Sequence, residues 1–379
     1  MHVLRKIAYV LLGMAILILG LNFGVSYWVK KKLPTLISRQ KDFPYNISYE
    51  QMDIDLMSGS FTIHNMFVAP KDSIAAAVKN GVFAKAGTVA VRGLKLWQLY
   101  KNNKIIVSSI LVEEPEVILY HREKKYSVES DLEKPFRQVV QTREVTIRKG
   151  NFKMMDSKMN TKFRTANVNL DIFNIKVNSN TVDDKIPVRY RDYRLQCDSI
   201  FYNAGIYYNL TADHLTTTDS TFAATGFKLV PKQSRVQFTR MMKAEKDQYN
   251  VQVKKISVPN ADWGYLRDTL YIHTPEVILD NVDASVYRSK EPPDDPTRKK
   301  LYGELLRSIK FDLKVDAIKL KNSTVVYEEQ PTFERPAAKV MFTNFFATVH
   351  NAYSPVNKGK LPPTVIDAQC LFMQHAPMT

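Results

Sequence analysis

The sequence predicts a mainly β protein carried on a single N-terminal transmembrane helix. Three observations lead there. The run from Ile7 to Trp28 holds about 22 residues without a charge. Beyond residue 45, apolar and polar side chains alternate with the two-residue period of a strand wet on one face. No catalytic motif interrupts that pattern.

The anchor comes first. A helix of roughly 20 apolar residues crosses a ~30 Å hydrocarbon core, and Val10, Leu11, Leu12, Ile16, Leu17, Ile18 and Leu19 fill the centre of this run. Tyr9 at one end and Tyr27 with Trp28 at the other suit the two headgroup zones. A cleaved signal peptide is the competing reading, because Arg5 and Lys6 form a basic leader. The apolar run is long for that, and Gly24-Val25-Ser26 is a poor cleavage site. Lys30, Lys31 and Lys32 follow at once and are the candidates for headgroup contact, with snorkelling at a helix end as the alternative. The chain thus divides into an anchor, residues 1–32, and a β-rich body, residues 33–379.

With 54 Lys and Arg against 38 Asp and Glu, the formal net charge is +16. The cations are scattered among strands rather than gathered in one tract, which suits an anionic membrane surface and argues against a nucleic-acid partner. Cys197 and Cys370 make no disulfide framework and read as small apolar strand residues.

The strands show best where alternation is strict. Val168, Leu170 and Ile172 share one face of their segment, with Asn169 and Asp171 on the other. From Lys310 to Ala317 the apolar residues Phe311, Leu313, Val315 and Ala317 face away from four charges. Similar segments run from Ile47 to Leu56, Ser60 to Val68, Thr88 to Leu96, Ile105 to Val112, Glu116 to His121, Val145 to Met154, Leu195 to Phe201, Tyr207 to Leu215, Thr221 to Val230, Tyr249 to Val258, Leu270 to Leu279 and Val340 to Val349. Another spans Thr364 to Met373 and leaves open whether the chain is truncated after it.

Two short helices are expected among them. Ser130 and Glu133 form a capping box ahead of Phe136, Val139 and Val140. Asp295-Pro296 opens the other, which carries Leu301, Leu305 and Ile309 on one face. A weak internal repeat joins Pro115-Glu116-Val117-Ile118-Leu119 to Pro275-Glu276-Val277-Ile278-Leu279, with Trp97 and Trp263 in matching places.

Chemistry is hard to find. The seven histidines never reach a metal-ligand spacing, and no phosphate-binding loop or nucleophile elbow occurs. Glu113-Glu114 and Glu328-Glu329 stand just before prolines, where strand ends explain them better than acid–base work. No enzyme activity, cofactor or metal is expected.

The opening of the body, Tyr45-Asn46-Ile47-Ser48-Tyr49-Glu50 with Ser58-Gly59-Ser60-Phe61-Thr62-Ile63-His64-Asn65-Met66, and the stretches 91–99 and 105–117 after it, resemble the start of the AsmA-like family of Gram-negative envelope proteins. The match is one of pattern over residues 1 to about 125. The resemblance implies a single-pass inner-membrane protein with a cytoplasmic N-terminus and its body in the periplasm. It also implies an elongated, curved antiparallel β-sheet forming a groove or trough, related to bridge-like lipid transporters. Membrane phospholipids are the expected ligands, with envelope proteins or further copies of the chain as partners. Val168, Leu170, Ile172, Phe311, Leu313 and Val315 are the candidates for the groove floor. An anchored structural or adaptor protein whose sheet closes on itself is the alternative.

Overall fold

The computed structural model describes residues 45–379 except 56, 72–80, 103, 121–139, 178–188, 267–268, 298–300 and 355–360. The expected anchor and Lys30 to Lys32 lie outside the described residues, as does most of the helix expected from Ser130. Among the described residues, no helix is long and apolar enough to cross a membrane. The chain is mainly β and forms two compact units, Met1–Asn160 with Val168–Tyr193 and Thr161–Asn167 with Arg194–Thr379.

The first unit holds β1 (Tyr45–Ser48), β2 (Gln51–Asp55), β3 (Ser60–Pro70), β4 (Gly81–Arg92), α1 (Leu96–Asn102), β5 (Ile105–Glu113), β6 (Glu116–Tyr120), β7 (Val140–Met155) and most of β8 (Thr161–Val177). β1 and β2 pair with the two halves of β3, β3 pairs with β4, and β4 pairs with both β5 and β6, all antiparallel. β7 then runs parallel to β5 and β6.

The second unit begins with β9 (Asp192–Ala204), β10 (Tyr208–Thr218), β11 (Thr221–Pro231), α2 (Arg235–Met241) and β12 (Gln248–Pro259). It continues through β13 (Asp262–Leu266), β14 (Thr269–Ser289), α3 (Tyr302–Arg307), β15 (Asp312–Gln330), β16 (Ala338–Ser354), β17 (Val365–Phe372) and β18 (Ala376–Met378). Neighbours pair antiparallel, except that β14 and β15 are parallel. The expectation of an all-antiparallel sheet is therefore corrected to a mixed, mostly antiparallel one. Parallel neighbours need a crossover of a dozen residues or more, and the sequence between β6 and β7 and between β14 and β15 is long enough for one.

Helices differ from expectation for local reasons. The Asp295 carboxylate accepts from the Thr297 amide (3.0 Å) and hydroxyl (2.6 Å), which makes a turn where a helix start was expected. α3 starts later, where the Glu304 carboxylate accepts from the Leu301 amide at 2.9 Å. Leu301 and Leu305 stay exposed. α2 was unforeseen, although Ser234 and Gln237 form its capping box. Val140, expected on a helix, opens β7.

The strands share an unusual feature: residues with left-handed backbone inside them, mostly asparagine. They align across neighbours into two seams per unit. In the second unit the first seam holds Ser199, Gly226, Asn281, Asn322 and Asn344 at positive φ, with Asp213 and Lys254 at the matching places of β10 and β12. The second holds Asn260, Pro275, Asp316 and Asn351. In the first unit the seams are Asn65, Gly87, Glu114 and Lys149, then Gly93, Ser108 and Arg143, with Asn174 of β8 lining the same recess as Arg143.

A single left-handed residue turns an extended strand over, so alternation slips by one there. Apolar positions fall two before and one after it: Leu279 and Val282 about Asn281, Val112 and Pro115 about Glu114, Phe342 and Phe345 about Asn344. A partner strand without positive φ must turn over too, because directly opposed residues share a face. One apolar face thereby survives both seams.

The internal repeat is real in architecture but offset in sequence. Ser108 and Glu114 stand six residues apart, like Pro275 and Asn281, and Arg143 and Lys149 likewise match Asp316 and Asn322. Pro115 therefore corresponds to Val282, so the two Pro-Glu-Val-Ile-Leu stretches occupy different rows. Trp97 lies exposed on α1, whereas Trp263 is half-buried in β13.

Candidate apolar binding face

Register lines the apolar residues up across strands. In the second unit Cys197, Leu215, Ala224, Ile256, Leu279, Leu320, Ala347 and Ala368 form one unbroken row from β9 to β17. On the far side of the first seam Tyr202, Leu210, Leu229, Val251, Ala284, Val325, Phe342 and Phe372 form another. The first unit repeats the device with Ile54, Phe61, Val91, Ile110 and Val145. Beyond its first seam stand Ile47, Val68, Ala84, Val117 and Phe152.

Apolar residues beside the seams are buried. Ala224 is 3 % exposed, Val253 4 % and Val282 6 %, and at the second seam Val315 is 4 % and Ala352 2 %. Most other row members are half-buried. Within the units, contacts between described elements join hydrogen-bonded strands, α1 with β5, α3 with β16, and α2 with the sheet, where buried Phe238 meets Tyr207 and Arg235 meets Tyr287 and Glu328. No second sheet lies over either face among them.

The opposite face is polar and self-neutralising. Asp198, His214, Thr225, Lys255, Asp280 and Lys321 form a row in register. Lys319 pairs with Glu276 at 2.6 Å, and His214 Nδ1 lies 2.5 Å from Asp198. The hydrogen bond from His214, helped by one from Asn167, holds the Asp198 carboxyl below its ordinary value. A lowered folded-state pKa stabilises at pH above the unfolded value of 3.8, and that stabilisation is lost as pH falls through the depressed one. Asp198→Asn should thus lower the midpoint of urea unfolding at pH 7, and the gap from wild type should close as the pH falls from 3.8 through the depressed value. The effect will be small, since both side chains are over a third exposed.

The candidate floor residues fall as follows. Val168, Leu170 and Ile172 are half-buried on β8 between Asn167 and Asn174, away from Asp171, which binds Arg148 at 2.7 Å. Leu313 and Val315 pair with Ile272 and Thr274 on one side and Ser354 and Ala352 on the other. By the seam rule Val315 joins the face of Ile318 and Leu320. Phe311 precedes β15 and is half-buried, and the Ser354 hydroxyl nearby donates to the Ile309 carbonyl at 3.0 Å. Sequence reading missed the longer rows through Leu279, Leu320 and Val325. Their signal, in β14 and β16, was an asparagine with apolar neighbours two before and one after.

Both cysteines are free thiols; Cys197 lies within a row, and burial pushes its thiol up. Among the described residues, no group of three or more His, Cys, Asp or Glu could hold a metal. No protein family model matches the chain, and no characterised protein sequence does.

Proposed function

We propose that this protein is a membrane-anchored periplasmic carrier of lipid acyl chains, acting in phospholipid transport or outer-membrane maintenance, with no catalytic step of its own. The supporting observation is the set of apolar rows that cross eight strands in register, with no second sheet over them among the described residues. Eight strands at ~4.8 Å make a run of roughly 34 Å, long enough for an acyl chain to lie across. Each CH₂ kept from water contributes about 0.8 kcal/mol. The low exposure of Ala224, Val253 and Val282 supports a sheet bent toward its apolar side, a trough.

The closed structural or adaptor protein is the weaker reading. It requires the apolar face to be packed against another sheet, and among the described residues the contacts within the units give it no such partner. The resemblance to AsmA-like proteins, with inner-membrane anchoring through residues 7–28 and Lys30 to Lys32 at the headgroups, belongs to the same proposal.

A photocrosslinking residue at Leu320 or Val325 should capture phospholipid in cells. One at Lys319 or Lys321, on the opposite face, should capture at least tenfold less. Equal capture at all four positions removes the mechanism.

A further inference from the structure

The two units share their seams but differ in charge at one place. In the first unit a recess of about 300 Å³ at the second seam is lined by Lys95, Arg143, Lys176, Ser108, Gln141 and Asn174, with Ile106, Val107, Thr142 and Ile175 completing it. No carboxylate is among them. The nearest one along β7, Glu144, is engaged with the Thr146 hydroxyl at 3.4 Å. A fourth cation stands close: Arg189 and Lys176 exchange backbone hydrogen bonds of 2.8 and 3.0 Å.

Counting from the seams, the second unit has Asp262 where the first has Lys95, Asp316 where it has Arg143, and Tyr353 where it has Lys176. There the Tyr353 hydroxyl donates to Asp316 at 2.6 Å. The same backbone is thus built with carboxylates, so the fold does not require cations at this seam. The second unit's own recess, about 380 Å³, holds Lys319 and Lys321 but also Asp367, and Lys319 is already paired with Glu276. Three convergent cations with hydroxyl and amide donors and no acid are what a dianionic oxygen cluster requires.

We propose that the recess formed by Lys95, Arg143 and Lys176 is a binding site for a phosphate group. Arg143 offers a planar fork to two oxygens, Lys95 and Lys176 supply point charges, and Ser108, Gln141 and Asn174 supply neutral donors. Gln141 and Lys176 alternate with Thr142 and Ile175, so they lie on the face opposite the apolar one. Gln141 and Lys176 therefore stand away from the apolar rows, while Val107, Thr142 and Ile175 border the recess on the other side. A phosphate there is either free in solution, as on a small phosphomonoester, or carried by a headgroup in a facing membrane.

The full chain and the variant Lys95→Asp/Arg143→Asp/Lys176→Tyr should be compared in two arms. Those replacements are the residues the second unit carries at the same backbone positions, and coincident thermal melts would show the fold intact. Should the variant melt early, Lys95→Gln/Lys176→Gln takes its place. Calorimetric titration with inorganic phosphate and glycerol 3-phosphate tests the free source. Flotation with phosphatidylcholine vesicles, with and without phosphatidylglycerol, tests the membrane source.

Saturable phosphate binding weakened at least about tenfold in the variant supports the site with a soluble ligand. A tenfold loss confined to phosphatidylglycerol vesicles supports it with a headgroup. Equal behaviour of parent and variant in both arms overturns it, as does equal loss in Lys319→Gln/Lys321→Gln.

Discussion

Val282→Asp should lower the stability of the second unit by more than about 3 kcal/mol, against a total of only 5–15 kcal/mol for a typical domain. Val282 is 6 % exposed and sits directly beside the first seam, opposite Val253. A carboxylate there would meet Val253, Ala284 and their neighbours in the rows. Asp283, one residue along, is exposed on the polar face, and Asp283→Asn should change stability by less than about 0.5 kcal/mol. Urea unfolding followed by tryptophan fluorescence and circular dichroism would measure both. If the two variants behave alike, the assignment of opposite faces about Asn281 is wrong.

Gly226→Ala is the second substitution with a large expected effect. At φ +64° a Cβ is strained wherever it points. Here it would also stand 2.0 Å from Asp213 Oδ2 and 2.4 Å from its Cγ, atoms of the neighbouring strand. The two costs should sum to about 2–4 kcal/mol. They are separable: Gly226→Ala with Asp213→Ala removes the two closest contacts and leaves the backbone cost of about 1–2 kcal/mol beside a Cβ contact of 3.0 Å. Asn281→Gly, at an equivalent seam position, should be close to neutral, because glycine accepts that φ freely. A Gly226→Ala protein as stable as wild type would show that the strand does not turn over there.

Much of the strand content was legible because alternation needs nothing beyond the strand itself. What alternation could not carry was any stretch across a seam. The segment read from Leu270 ends at Leu279, two residues before Asn281, although β14 runs to Ser289. That read from Lys310 ends at Ala317, beside Asp316, although β15 runs to Gln330. In both cases the apolar phase slips, and a strict period-two reading takes the slip for a strand end. The rows were illegible for another reason. That Leu279 meets Leu320 depends on a parallel register set by a crossover, and that Leu320 meets Ala347 depends on the hairpin after it. The recess at Arg143 was hidden in the same way, since Lys95, Arg143 and Lys176 come from three separate parts of the chain.

The fixed interval between seams places a counting rule on this polypeptide. From Pro275 to Asn281, from Ser108 to Glu114, from Asp316 to Asn322 and from Arg143 to Lys149 the step is six residues. Between Asn167 and Asn174, and again between Asn344 and Asn351, where both ends are left-handed, it is seven. Each value returns the same side chains to the same side. Inserting one codon within such an interval would exchange inside for outside over the rest of the strand, whereas inserting two would lengthen it and preserve its sidedness. Length changes in these strands are thus expected to be inherited in pairs, with loops free of that restriction.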